Sequence, residues 1–439
     1  MEHIFLNSKL LISKGQLAKV LSVHNQENIM DFIDLYYDLG GKPGQLDDVL
    51  IDRIISHEAN DFKVIDLYKS CDISNNATER VRCFKVQAER MKQIVIDQGF
   101  KLQSIRSLIG IAGKEILLCG ILFKGHGDEP FIEDDTGQLR LMLDPENINV
   151  GQGLFFDSHV VLIKGKYFKE GKIFKVSHIT HPPILSNLSA VKEREVVSKK
   201  LERGYCLFFH QVFLDVEDIQ DDFVFTLKKY LDKSITLLSI IITDCFQTKN
   251  PQDQRSALIH FVRRIGTELP SLLRDVFFVF VPPTCDILPT AKYNDYVFKP
   301  VLDSFDHIFL PSNPCILDCF GRSIALFSYD YNIHKSLVAS QKEGSTSFHL
   351  SYTIASQMRI TCFKQSNMLF SDEMFFKRLP SLIVVPNENA WFEHTFDSQS
   401  NSIDNTIVNN TSSFAEHKTW TAYLPYEHKL EFCQLPRKK

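Results

Sequence analysis

The sequence predicts an α+β multidomain protein: a small N-terminal helical domain, a five-stranded β-barrel, and a layered α/β domain. Three observations predict it. The chain has 439 residues, more than one ordinary core accommodates. The apolar pattern changes period twice, from helical to alternating near residue 100 and to continuous apolar runs near residue 204. Gly-bearing turn signals punctuate the alternating stretch between them. With 44% hydrophobic and 23% charged residues, the composition is that of a soluble globular protein. No apolar run approaches the roughly 20 residues of a membrane-spanning helix, and the N-terminus lacks a secretory cleavage pattern. An intracellular protein with no membrane partner is therefore expected.

Residues 1–75 read as the helical domain. From Glu27 to Leu39, Glu27, Asp31, Asp34 and Asp38 recur at helical spacing, which sets four carboxylates in one narrow stripe. Gly40-Gly41 ends that helix. Leu46 to Ala59 reads as a second helix and Phe62 to Cys71 as a third. This segment holds 7 Lys and Arg against 12 Asp and Glu, which accounts for the whole net charge of −5. The stripe reads as a solvated face or as a docking surface for a basic partner. The remainder is balanced, whereas autonomous nucleic-acid binders carry a basic excess. DNA is thus expected to be bound weakly, or only within a complex.

Residues 76–100 form a connecting helix, Thr78 to Gln98, and residues 101–185 the barrel. Its strands read as Glu115 to Lys124, Pro130 to Asp134, Gln138 to Leu143, His159 to Phe168 and Ile173 to His181. Five short strands in this span suit an oligonucleotide/oligosaccharide-binding (OB) fold. Residues 186–203 are a linker, and residues 204–439 the α/β domain. There Tyr205 to Leu214, Ile235 to Thr243 and Val276 to Val281 are continuous apolar runs, the mark of strands buried on both faces. Ile324 to Ser328 and Leu382 to Val385 add two more. Helices are expected over Val216 to Lys233 and Gln252 to Arg274, and a polar loop over Ser398 to Ser413. The ten cysteines are scattered with no CxxC pair, so neither a disulfide framework nor a zinc site is encoded.

Asp135-Thr136-Gly137 is the tripeptide of aspartic proteases, but acidic residues precede it and no second copy exists. A shared-proton carboxylate pair cannot form from it. It reads as a hairpin turn, with Gly137 expected at positive φ. Leu139, Leu141 and Leu143 are expected inside and Arg140 outside.

The stretch "GKEILLCGILFKGHGDEPFIEDDTGQLRLML" (Gly113 to Leu143) resembles the barrel of the B-subunit (second, non-catalytic subunit) family of DNA polymerase epsilon. The similarity continues through Val160 to Pro183, Phe208 to Asp215, Phe277 to Asp286, Pro311 to Leu317 and Leu379 to Asn387. The resemblance implies an OB-fold joined to an inactive calcineurin-like metallophosphoesterase domain. An active enzyme of that type clamps a phosphoryl group between two metal ions. Here the first-strand ligand positions hold Gln211 and Phe213, the second strand ends Thr243-Asp244-Cys245, and "PPTCD" replaces the third ligand turn. Asn367 takes the lone-His position, and no G-H-x-H occurs. Asp157-Ser158-His159, His126, His178 and His181 lie in or beside barrel strands and read as surface or packing residues. No catalytic, cofactor-binding or metal-binding residue is therefore expected, and no cofactor.

The resemblance further implies a nuclear accessory subunit, not itself an enzyme, that scaffolds the zinc-bearing C-terminal region of the polymerase catalytic subunit. It implies that the N-terminal domain links the polymerase to the replicative helicase. The alternatives are the B-subunit of polymerase alpha or delta, an active phosphodiesterase with unusual ligands, or a free-standing single-strand-binding barrel. The last would use aromatics such as Phe131 and Tyr167, but its stretch lacks a basic, aromatic-rich groove.

Overall fold

A computed structural model describes residues 10–11, 44–45, 62–66, 77–111, 113–125, 129–144, 146–184, 204–283, 293, 295–319, 321–328, 344–358, 376, 379–396 and 405–436. The chain divides into two compact units, Met1–Lys63 with Asp318–Phe320, and Val64–Leu317 with Gly321–Lys439. In the first, β1 (Leu10–Leu11) pairs in parallel with β2 (Gly44–Gln45). The helices expected over Glu27 to Leu39 and Leu46 to Ala59, with their acidic stripe, lie outside the described residues. The third expected helix is corrected: Phe62–Asp66 is a strand, β3. Phe62, Val64 and Ile65 are aromatic or β-branched, types that lose side-chain freedom in a helix and suit a strand.

In the second unit, helix α1 (Ala77–Asp97) leads through a 3₁₀ turn (Ile105–Gly110) into the barrel. The strands are β4 (Glu115–Lys124), β5 (Pro130–Asp134), β6 (Gly137–Met142), β7 (Asn149–Val150), β8 (Val160–Phe168) and β9 (Ile173–Thr180). They hydrogen-bond in the order β6-β5-β4-β8-β9-β7, and pairing of β6 with β9 closes the ring. The five long strands lie within two residues of the predicted runs; β7 is a short addition in the β6–β8 connection. Leu118, Leu122, Ile132, Leu139, Leu141, Ile163, Phe174 and Val176 fill the interior, as their alternation requires. Gly120 lets β5 pack close against β4, because a Cβ there would meet the Glu133 carbonyl at 2.5 Å.

The α/β part holds two sheets. The first runs β13-β12-β11-β10-β19-β20, where β10 (Gly204–His210), β11 (Thr236–Thr243), β12 (Phe277–Val281) and β13 (Ile308–Phe309) are parallel. Strands β19 (Thr419–Leu424) and β20 (Lys429–Gln434) extend it antiparallel. The second sheet includes β14 (Cys315–Cys319), β15 (Arg322–Leu326), β16 (Leu382–Val384), β17 (Phe392–Phe396) and β18 (Thr406–Asn410), in the order β17-β18-β16-β15-β14. Helices α2 (Glu217–Asp232) and α3 (Pro251–Glu268) cover the first sheet, with Phe223, Leu227, Phe261 and Ile265 packed on Phe209, Ile240 and Phe278. The long helix expected over Gln252 to Arg274 breaks at Leu269. Pro270 has no amide hydrogen to continue it and instead opens α4 (Pro270–Asp275). Helices α5 (Asp295–Leu302), α6 (Thr346–Gln357) and α7 (Phe414–His417) complete the described set.

The polar loop expected over Ser398 to Ser413 is also corrected. Thr406–Asn410 is the fully buried β18, between β16 and β17. Its amides are consumed internally: Asn409 donates to the Phe392 carbonyl, and Asn410 donates to the Asn389 and Ala390 carbonyls while accepting from the Asn387 amide. A buried polar side chain satisfied this fully behaves as core.

Candidate functional site

The place where phosphoesterase chemistry would sit is the carboxyl end of β10 and β11. Both chains leave their strands through a left-handed residue, Gln211 (φ 57°) and Asp244 (φ 56°). Such non-Gly strain of order 1–3 kcal/mol concentrates at functional sites. Backbone hydrogen bonds hold it: the Gln211 amide donates to the Thr243 carbonyl (2.8 Å) and the Asp244 amide to Val281 (3.0 Å). The Gln211 side-chain nitrogen then donates to Asp244 Oδ2 (3.4 Å) and to Glu388 Oε1 (3.2 Å). One neutral amide thus bridges two carboxylates. Burial pushes the Asp244 carboxyl up to about 6; the Gln211 hydrogen bond opposes this, while Glu388 and Asp215 add to it.

The neighbours are committed elsewhere. Cys245 is fully buried and its thiol donates to the Ile242 carbonyl (3.3 Å); burial pushes it far above the usual thiol range. His210 faces the core, hydrogen-bonded to Thr243 Oγ1 (2.9 Å), and burial lowers it to about 3. Asp215 accepts from the Gln247 and Thr248 amides. Phe213 offers no donor atom. Among the described residues, no group of three or more His, Cys, Asp or Glu is placed to hold a metal ion. Glu388 gave no sequence signal, since it lies in a loop remote from the strand ends it meets. Asn367 and the end of "PPTCD" lie outside the described residues, as does His126.

The Asp-Thr-Gly hairpin is a turn, but not of the expected kind. Gly137 is not among the residues at positive φ; it opens β6 opposite Asp134. The turn is set by Asp134, whose Oδ1 accepts from the Thr136 amide (2.7 Å), the Thr136 hydroxyl (2.6 Å) and the Gly137 amide (3.0 Å). Its Oδ2 accepts from the Ile105 amide (2.7 Å). A side chain that mimics a backbone turn removes the need for a left-handed glycine. Asp135 instead pairs with Lys92 of α1 (2.9 Å).

His178 is partly exposed on β9, whereas His159 and His181 belong to a buried seam between barrel and α6. His349, Thr353 and Gln357, spaced i, i+4, i+8, form one polar face of α6. Gly153 donates to His349 Nδ1 (3.1 Å) and Leu154 to Thr353 Oγ1 (2.7 Å). The Gln357 amide brackets Val160, accepting from its N–H (3.0 Å) and donating to its carbonyl (2.9 Å). It also meets His181 Nδ1 (3.0 Å), whose Nε2 reaches the Leu154 carbonyl (3.0 Å). That pairing fits a neutral His181 protonated on Nε2. His159 is buried beside it, and Asp157-Ser158-His159 is a turn with Ser158 at φ 71°. Met91 and Val95 of α1 join Val160, Leu162, Leu350, Ile354 and Ile383 in one apolar cluster along the seam. Barrel, α1 and α/β part are thereby one body.

Fold and site together define an OB-fold protein whose barrel is built into a larger α/β body. Residues 71–183 match the family described as "DNA polymerase epsilon subunit 2-like, OB-fold domain". The match takes in α1 with the barrel. The chain is 22% identical over 262 residues to the DNA polymerase epsilon B-subunit of Schizosaccharomyces pombe, covering 53% of this chain and 44% of the relative. It is 34% identical over 83 residues to the B-subunit of the same polymerase from Kluyveromyces lactis, covering 19% of this chain and 12% of the relative. The matched stretches thus span less than half of either relative. Residues 71–183 are therefore similar to the polymerase epsilon subunit 2-like OB-fold family, and the chain is similar over part of its length to polymerase epsilon B-subunits.

Proposed function

We propose that this protein is a non-catalytic accessory subunit of DNA polymerase epsilon, acting in the nucleus in chromosomal replication. The carrying observation is the family match across α1 and barrel, which hydrogen bonds from His349, Thr353 and Gln357 join to the α/β part. A single compact unit of this kind suits a scaffold for the C-terminal region of a catalytic subunit. The α/β part acts as an inactive phosphoesterase-like domain. Support comes from the strand-end donors: Gln211 already bridges Asp244 and Glu388, Phe213 has nothing to give, and Cys245 is turned to backbone. Dinuclear hydrolysis needs several carboxylate and imidazole ligands converging on each ion. The N-terminal segment, with its excess of carboxylates, is the link to the replicative helicase.

Affinity purification of the chain from cells, with mass spectrometry of its partners, tests this reading. Recovery of the polymerase epsilon catalytic subunit and helicase components is the expected result. Recovery of the alpha or delta catalytic subunit instead would reassign it; the two yeast relatives favour epsilon.

A further inference from the structure

Layered α/β folds cover the faces of their sheets with helices. Beyond α2 the first sheet runs on to its edge strand β20, and among the described residues no helix lies over that strip. A groove opens there instead, as two hollows of about 680 and 370 Å³ that share Lys229, Gln434, Leu435 and Pro436 in their walls. One wall is α2 from Asp222 to Lys233, and the other is β20 with the residues just after it. At 1.5 Å per residue the α2 wall is about 16 Å long. Trp420 and Leu435 are buried at the bottom. Phe225 stands on the α2 wall, 51% exposed, with Lys229 Nζ 4.4 Å from its ring centre. A large ring left half in water beside an apolar hollow marks an interaction surface. The groove lies on the first sheet, whereas the barrel meets the second sheet through α6.

The chain does not balance the charges of this groove. Asp222 pairs with Lys418 (3.1 Å), Glu431 pairs with Lys429 (3.2 Å), and Glu416 lies against His417 (3.7 Å). Every carboxylate in the two walls is engaged, and Asp232 lines neither hollow. Lys229 and Lys233 have no carboxylate within ion-pairing distance among the described residues. Lysines at the end of a helix offset its dipole, but that role needs no hollow beside them. These two stand one helical turn apart, the spacing of carboxylates at i and i+4 on a second helix lying alongside α2.

We propose that the groove between α2 and β20 is a docking site for an amphipathic helix of a partner protein, about three turns long, whose apolar stripe is bordered by carboxylates. The stripe covers Phe225 and Leu435, and the carboxylates reach Lys229 and Lys233. A basic helix would set like charge against both lysines. An added strand would pair with the edge of β20 and leave the hollow above its face unfilled. The proposal rests on this surface alone and does not depend on the polymerase reading.

The test is photocrosslinking in cells of the full chain carrying p-benzoylphenylalanine in place of Phe225, with mass spectrometry of the joined peptide. The expected product joins this position to a segment of another protein whose apolar residues recur at i, i+3 or i+4 and i+7, with Asp or Glu at i and i+4 beside them. Lys229→Glu/Lys233→Glu in the same chain should lower its yield roughly tenfold, whereas Lys229→Arg/Lys233→Arg should keep it. Thermal melts of the charge-reversed chain should match those of the unreversed one, which separates lost contact from lost fold; if they do not, the sequence of the joined peptide decides. A joined peptide from a second copy of this chain, from a basic segment or from one of alternating apolar pattern overturns the proposal. So does the absence of any crosslink, or a yield that charge reversal leaves unchanged.

Discussion

At the scale of single residues, the carboxylates of Asp134 and Asp244 behave oppositely. Asp134 holds four donors, so Asp134→Ala should cost on the order of 2 kcal/mol. Gly137→Ala should be neutral within error, because a Cβ there meets only Ile105 Cγ2 at 3.6 Å. Urea melts of the two variants decide between a turn made by a side chain and one made by a glycine; a costly Gly137→Ala would favour the latter. Asp244 carries a folded pKa of about 6 against an ordinary 3.8, so the folded state holds its proton more tightly than the unfolded chain. That penalty is absent below pH 3.8, grows as pH rises, and is fully present above about 6. Asp244→Asn should therefore raise stability at pH 7.5 by on the order of 2 kcal/mol and have little effect near pH 4. Equal effects at both pH values would sink the assignment.

At the scale of elements, the seam on α6 makes the sharpest demand. Gln357→Leu leaves the Val160 amide and carbonyl and His181 Nδ1 without the Gln357 partner in a buried contact. A loss on the order of 3 kcal/mol is expected, read from the denaturant midpoint; under about 1 kcal/mol would mean water satisfies the seam. The same element shows where sequence reading stops. The barrel strands were legible because Lys164, Lys166 and Phe168 alternate with buried partners, and β10 to β12 because their runs are apolar throughout. Helix α6 was not read from the sequence, and only a second surface with matching donors and acceptors shows its stripe of His349, Thr353 and Gln357 to be buried. The Asn-rich β18 was illegible for the same reason, since its polarity is cancelled by carbonyls distant in sequence. The strand-end site was half legible: Gln211 and Asp244 follow their strands, but Glu388 arrives from a loop 144 residues beyond Asp244.

At the scale of the molecule, the accessory-subunit reading has two consequences. Purified protein should contain no stoichiometric transition metal and should not hydrolyse a model phosphodiester; two ions per chain with turnover would overturn it. Reversing Asp31, Asp34 and Asp38 to Lys in the full chain should slow association with the helicase, and the wild-type rate should fall with added salt. An unchanged on-rate would reduce the stripe to a solvated face.

The seam also imposes an order on biosynthesis. The barrel is complete in the chain by residue 180, but the face that α6 covers stays open until residue 357 has left the ribosome. At about 5–20 residues per second that interval is roughly 10–35 s. During it, the Val160 and Leu154 polar groups and the apolar patch around them are exposed together. A nascent barrel in that condition is a client for chaperones. Raising the synthesis temperature or starving the cell of chaperones should therefore lower the yield of soluble chain more than the stability of the finished protein predicts.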